Sequence, residues 1–193
     1  MTETRHDRRE PVRPELGRMA TWLLIAALGM LFSASIVGTL VVRARAQAWP
    51  PPGTPDVMPG LWLSTALLLL SSATMAGALA AVRRGHQIHL RRGLALTLLL
   101  GVGFLASQAI NWWRLVHSAL TVSSHLFGFT FYVLTGLHAV HVCGGLVPLA
   151  VVTWRAGSGR FTADHHAGVL YTAMYWHFLD VVWLVLFALF LLG

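Results

Sequence analysis

Five long apolar stretches dominate this chain and leave it few choices of fold: Met19–Val42, Leu61–Val82, Gly93–Trp113, Phe129–Thr153 and Val169–Leu192. A hydrocarbon core of about 30 Å takes about 20 helical residues to cross, and each stretch meets that length. A backbone in lipid must satisfy its own hydrogen bonds, so these stretches are predicted to be helices. A membrane β-barrel would show short alternating segments instead. Composition agrees: 56% of the 193 residues are hydrophobic and 11% charged, against about 25% charged in a soluble domain. Mean hydropathy is +0.66. The expected architecture is an all-α, five-helix membrane bundle over residues 19–193, preceded by a flexible polar tail at 1–18. No secretory signal is expected ahead of the first span.

The loops set the direction. All 14 basic residues are arginine, and the net charge is +7. Arg5, Arg8, Arg9, Arg13, Arg18, Arg83, Arg84, Arg91, Arg92, Arg155 and Arg160 fall on one side, and Arg43, Arg45 and Arg114 on the other. The richer side is expected to be cytoplasmic, which puts the N-terminus inside and the C-terminus outside. A basic chain often signals nucleic acid, but arginines sorted between apolar runs report topology, so no nucleic-acid partner is expected. The segment Arg83–Arg92 is also a candidate contact for anionic lipid head groups. Trp49-Pro50-Pro51-Pro52-Gly53 reads as a stiff outer loop.

Polar residues inside spans carry the remaining information. Spans one and two hold no ionisable residue, span three holds Gln108 and Asn111, span four His138 and His141, and span five His177 and Asp180. A charged Asp near the bilayer centre costs on the order of 2.5–3.5 kcal/mol on insertion scales, so Asp180 should face protein and have a partner. His141 and Asp180 both lie roughly 16–18 Å from the cytoplasmic ends of their helices, and Gln108 and His138 are level at about 22 Å. The expected arrangement is a buried polar belt joining spans three, four and five, with His141 paired to Asp180. Three readings of it stay open: helix-to-helix hydrogen bonding, haem ligation by a histidine pair on different helices, and a proton or ion path. Cys143, the one cysteine, is read as a helix-packing residue, and the adjacent His165 and His166 as solvated loop residues. No metal site or catalytic residue is expected, since no HExxH, nucleotide loop or catalytic triad occurs.

Tyr175-Trp176-His177-Phe178-Leu179-Asp180-Val181-Val182-Trp183 resembles the last-helix signature of the cytochrome c oxidase subunit III family. Leu134-Thr135-Gly136-Leu137-His138-Ala139-Val140-His141-Val142, followed by Gly144-Gly145, resembles that family's preceding helix, in the matching order. The WPPPG loop and Leu96–Gly101 with Gln108 downstream are similar to its first outer loop and middle helix.

The resemblance covers about residues 20–193 and implies an accessory subunit without a redox centre of its own. Haem and copper would reside in the catalytic subunit I, its main contact, with subunit II in the same complex. Phospholipid would be bound, proton uptake and turnover stability supported, and the bacterial inner membrane the location. Trp176, Trp183, Arg83, Arg84, Arg91 and Arg92 are candidate subunit or lipid contacts. The chain looks like the five-helix bacterial form of subunit III. It departs from the family where glutamates are usual: Leu28, Asn111-Trp112 and Leu170 stand there. Two alternatives are an accessory subunit of a nitric oxide reductase or related enzyme, and a free-standing haem b cytochrome.

Overall fold

The computed structural model describes residues 14–52, 54, 58–118, 121 and 125–192. It holds five α-helices: α1 (Pro14–Arg45), α2 (Met58–Arg83), α3 (Gln87–His117), α4 (Leu126–Gly157) and α5 (Ala167–Leu191). No strand occurs among the described residues. All five are long and apolar enough to cross a membrane, and the chain is a multi-pass membrane protein.

The helices outrun the apolar stretches that announced them. At 25 to 32 residues and 1.5 Å of rise each, they extend about 38–48 Å, beyond the hydrocarbon core on at least one side. Helix α1 begins at Pro14, within what reads as tail; residues 1–13 lie outside the described ones. The Arg83–Arg92 segment is likewise shorter as a loop than it reads. Arg83 ends α2, Arg91 and Arg92 sit in the opening turns of α3, and only Arg84, Gly85 and His86 connect them. Charged side chains do not oppose a helix where they reach head groups, so hydropathy underestimates helix length.

Two glycines close the turns at one end of the bundle. Gly85 (φ 76°) follows α2, and Gly159 (φ 68°) follows α4, both in the left-handed conformation that costs a residue without Cβ nothing. The Gln87 amide donates to the Phe161 carbonyl at 2.8 Å and ties the two turns together.

Helices α2 and α3 form an antiparallel hairpin in one continuous register. Ser64 and Ser107 hydroxyls meet at 3.1 Å, and Thr74 and Thr97 at 2.8 Å. Between the second pair and the turn, Gly93 packs so closely that a Cβ there would come within 2.9 Å of the Ala78 Cβ. Helix α5 lies against both α2 and α4, and α3 closes on α4. The core is aromatic: Phe104, Phe131, Trp176 and Trp183 are fully buried. Among the described helices α1 stands apart, packing only on α4 and α5. Phe32 is its one deeply buried large side chain.

Candidate functional site

The residues singled out in span five do converge, but on α2, whose apolar stretch carries no ionisable group. Trp176 Nε1–H donates to Ser71 Oγ at 2.9 Å, and Trp183 Nε1–H donates to Thr65 Oγ1 at 3.0 Å. His177 Nδ1 and Ser72 Oγ are hydrogen-bonded at 2.8 Å. Seven residues separate the two tryptophans. Six separate Thr65 from Ser71, so two helical turns on α5 meet two antiparallel turns on α2. Each indole thus buries its ring in the core and satisfies its one donor across the helix pair, so Trp176 and Trp183 are core residues and not the subunit or lipid contacts expected of them.

Asp180 lies inside this contact, with its side chain 6% exposed and Oδ2 3.5 Å from His177 Nδ1, one helical turn back on α5. The expected His141–Asp180 pair is not formed. His141 Nδ1–H donates to the Leu137 carbonyl of its own helix at 2.7 Å, and its ring packs edge-on to Phe32 at 5.2 Å. The two residues share a depth but not an azimuth: Asp180 turns toward α2, and His141 toward α1. The contact between these helices near that depth comes instead from Tyr175, whose hydroxyl donates to the His141 carbonyl at 3.2 Å.

His138 is fully buried in a cage of rings: Phe104 at 5.7 Å, Trp183 at 5.1 Å and Phe32 at 6.3 Å between centroids. Neither of its nitrogens has a hydrogen-bond partner among the described residues. Gln108 is buried to 1% exposure, and both its amide atoms lack a partner in the same sense. Its neighbours on α3 reach α4: Trp112 Nε1–H donates to Thr135 Oγ1 at 3.2 Å. Asn111 is also buried, and a Cβ on Gly60 of α2 would collide with its carboxamide. The hydrogen bonds of the polar layer therefore run chiefly between α2 and α5 and between α2 and α3. Those α2 hydroxyls are what sequence reasoning missed. A signal was present in the Ser64-Thr65 and Ser71-Ser72 pairs seven residues apart, which put hydroxyls on one face of the helix.

Two other expectations are corrected. Cys143 is exposed on α4 and does not pack between helices; its neighbour Gly145 does, against the Tyr175 ring. His165 is exposed, but His166 is partly buried and lines a groove of about 330 Å³ with Glu15, Arg18, Asp164, Leu170 and Tyr171. That groove adjoins a second, apolar one between α1, α4 and α5, lined by Leu24, Gly144, Pro148 and Tyr175. The four arginines Arg83, Arg84, Arg91 and Arg92 are all exposed around the α2–α3 turn. Gly53 of the WPPPG loop lies outside the described residues, while Trp49 packs edge-on to Phe127 at 5.2 Å.

Residues 19–192 match the family model for cytochrome c oxidase subunit III. A cytochrome c oxidase subunit 3 from Synechocystis is 35% identical over 180 residues, covering 91% of this chain and 75% of the relative. A probable cytochrome c oxidase subunit 3 from Nocardia farcinica is 34% identical over 177 residues, covering 91% of this chain and 87% of the relative. The subunit 3 of Danio rerio is 41% identical over 141 residues, 72% of this chain and 53% of that protein. With its signature helix docked on α2 and its matched region spanning all five helices, the chain belongs to the cytochrome c oxidase subunit III family.

Proposed function

We propose that this chain is the accessory, non-redox subunit III of a bacterial haem-copper terminal oxidase, stabilising the catalytic subunit I and supporting aerobic electron transport coupled to proton translocation. Family membership carries the proposal. The site supports a scaffold: its tryptophans, histidine and hydroxyls are engaged in holding helices together. The three positions without the family's glutamates leave Asp180 as the one carboxylate inside an apolar stretch, a thin basis for a proton path.

The chain sits in the bacterial inner membrane with its N-terminus in the cytoplasm, as the arginine asymmetry indicates. Subunits I and II are its partners, and haem and copper belong to them. Phospholipid occupies the α1–α4–α5 grooves, where Glu15, Arg18, Asp164 and His166 provide a mixed-charge mouth for a head group and Leu24 and Pro148 line the apolar continuation.

The test is purification of the tagged chain from its native membrane in mild detergent. Subunits carrying two haems and copper should co-elute. A partner holding non-haem iron in place of copper would instead support the nitric oxide reductase reading, and a haem spectrum from the isolated chain would support a free-standing cytochrome.

A further inference from the structure

His177 is out of place for a residue that only holds its own bundle together. It lies about 15 Å from one end of α5 and about 21 Å from the other, which is hydrocarbon depth. The other amide, imidazole and carboxylate groups inside the apolar stretches, Gln108, Asn111, His138 and Asp180, are buried, and His141 is partly so. The His177 side chain is 37% exposed. Its Nδ1 is engaged by Ser72 and lies near Asp180, but Nε2 makes no hydrogen bond among the described residues. Around it the surface is apolar and open: Val181 is 59% exposed and Leu184 38% on α5, and Leu69 is 48% exposed on α2. His141 differs, because its exposed edge is shared with the Phe32 ring of α1.

Lipid tails offer an imidazole nitrogen no partner, and a polar group left without one in hydrocarbon is costly. Ser72 adds to the cost of turning the ring away, because it holds the ring by Nδ1, with Asp180 Oδ2 3.5 Å from the same nitrogen, and leaves the opposite nitrogen unengaged. A membrane helix that brings a hydrogen-bonding side chain to mid-depth removes the penalty, and such contacts join helices where apolar surface alone drives nothing.

We propose that the α2–α5 edge is a docking face for a transmembrane helix of a partner subunit, which presents a polar side chain to His177 Nε2. This rests on the reading of the chain as one subunit of a larger membrane complex. It adds the face, the depth and the chemistry of the contact. Ser72 and Asp180 act as positioning residues for the imidazole.

Two substitutions separate the two ring nitrogens. His177→Asn keeps a polar atom near the place of Nδ1 and loses Nε2; His177→Gln keeps one near Nε2. With a photo-crosslinking residue at Val181 in the intact complex, the adduct should be with a different membrane subunit. His177→Asn should speed loss of that subunit during detergent washing roughly three- to tenfold, the effect of one interhelical hydrogen bond, while His177→Gln stays close to wild type. Adducts with lipid alone, or with a second copy of this chain, overturn the proposal. So does equal retention in the Asn variant and wild type. If the wild-type chain elutes without any haem-bearing subunit, the oxidase reading fails, and the Val181 adduct still decides whether this face docks a protein.

Discussion

Helices α1 and α5 are both apolar, both long and adjacent, yet they are attached to the bundle in different ways. Only 11% of the most apolar stretch of α1 is buried, against 44% for α5. Helix α5 is hydrogen-bonded across to α2 by both tryptophans and His177, and to α4 by Tyr175. Helix α1 touches through Phe32, through a close approach of Gly17 to Tyr171, and through one Arg43 bond to the Leu192 carbonyl at 2.8 Å. Hydropathy cannot tell the two apart, with mean values of 2.2 and 1.9 over their best stretches. In lipid, apolar surface does not by itself drive helices together, so side-chain fit and hydrogen bonds decide which helix is central.

The largest expected contrast is between tryptophans. Trp183→Ala should cost about 3–5 kcal/mol through the cavity it leaves, whereas Trp22→Ala on the exposed face of α1 should stay within about 0.5 kcal/mol. Unfolding by SDS titration in mixed micelles, followed by circular dichroism, would show it; similar costs at the two sites would break the comparison.

Glycines give the next largest effect. A Cβ at Gly101 would come within 2.7 Å of the Trp176 ring, so Gly101→Val should destabilise by about 1–3 kcal/mol. Gly38 of α1 has nothing within 4 Å of that position, and Gly38→Val should be near neutral in the same titration.

Thr65→Val removes the acceptor of the Trp183 indole while keeping the shape of the side chain, for a loss of about 0.6–1.7 kcal/mol. Conversely, among the described residues Ser35 of α1 bonds only to its own helix, and Ser35→Ala should leave stability unchanged.

The smallest effect sharpens the picture of the ring cage. His138→Phe replaces a caged imidazole by another ring and breaks no hydrogen bond among the described residues, so stability should hold or rise slightly. A loss above about 1 kcal/mol would mean that the imidazole nitrogens have partners after all.

Much of this protein could be read in advance. Five crossings follow from length and apolarity, because a backbone in hydrocarbon has no alternative to the helix. The signature helix was legible too, since Trp176, His177, Asp180 and Trp183 make a specific pattern. Depth was readable from the constant rise of the helix, which put His141 and Asp180 at one level. Rotation about the helix axis was not, and it directed Asp180 toward α2 and His141 toward α1.

The sequence by itself therefore determined the number of helices, the family pattern and the depth of each polar group, all properties of single helices in a bilayer. Only the tertiary structure decided which faces meet: the hydroxyls of α2 as partners for α5, the peripheral place of α1, and the nitrogen of His177 left unengaged among the described residues. The physical reason is that serine and threonine in a membrane helix can bond to their own backbone or to a neighbour. Thr65 and Ser71 in fact do both. Which bonds form across the bundle depends on the helix that packs alongside, a choice that no single span encodes.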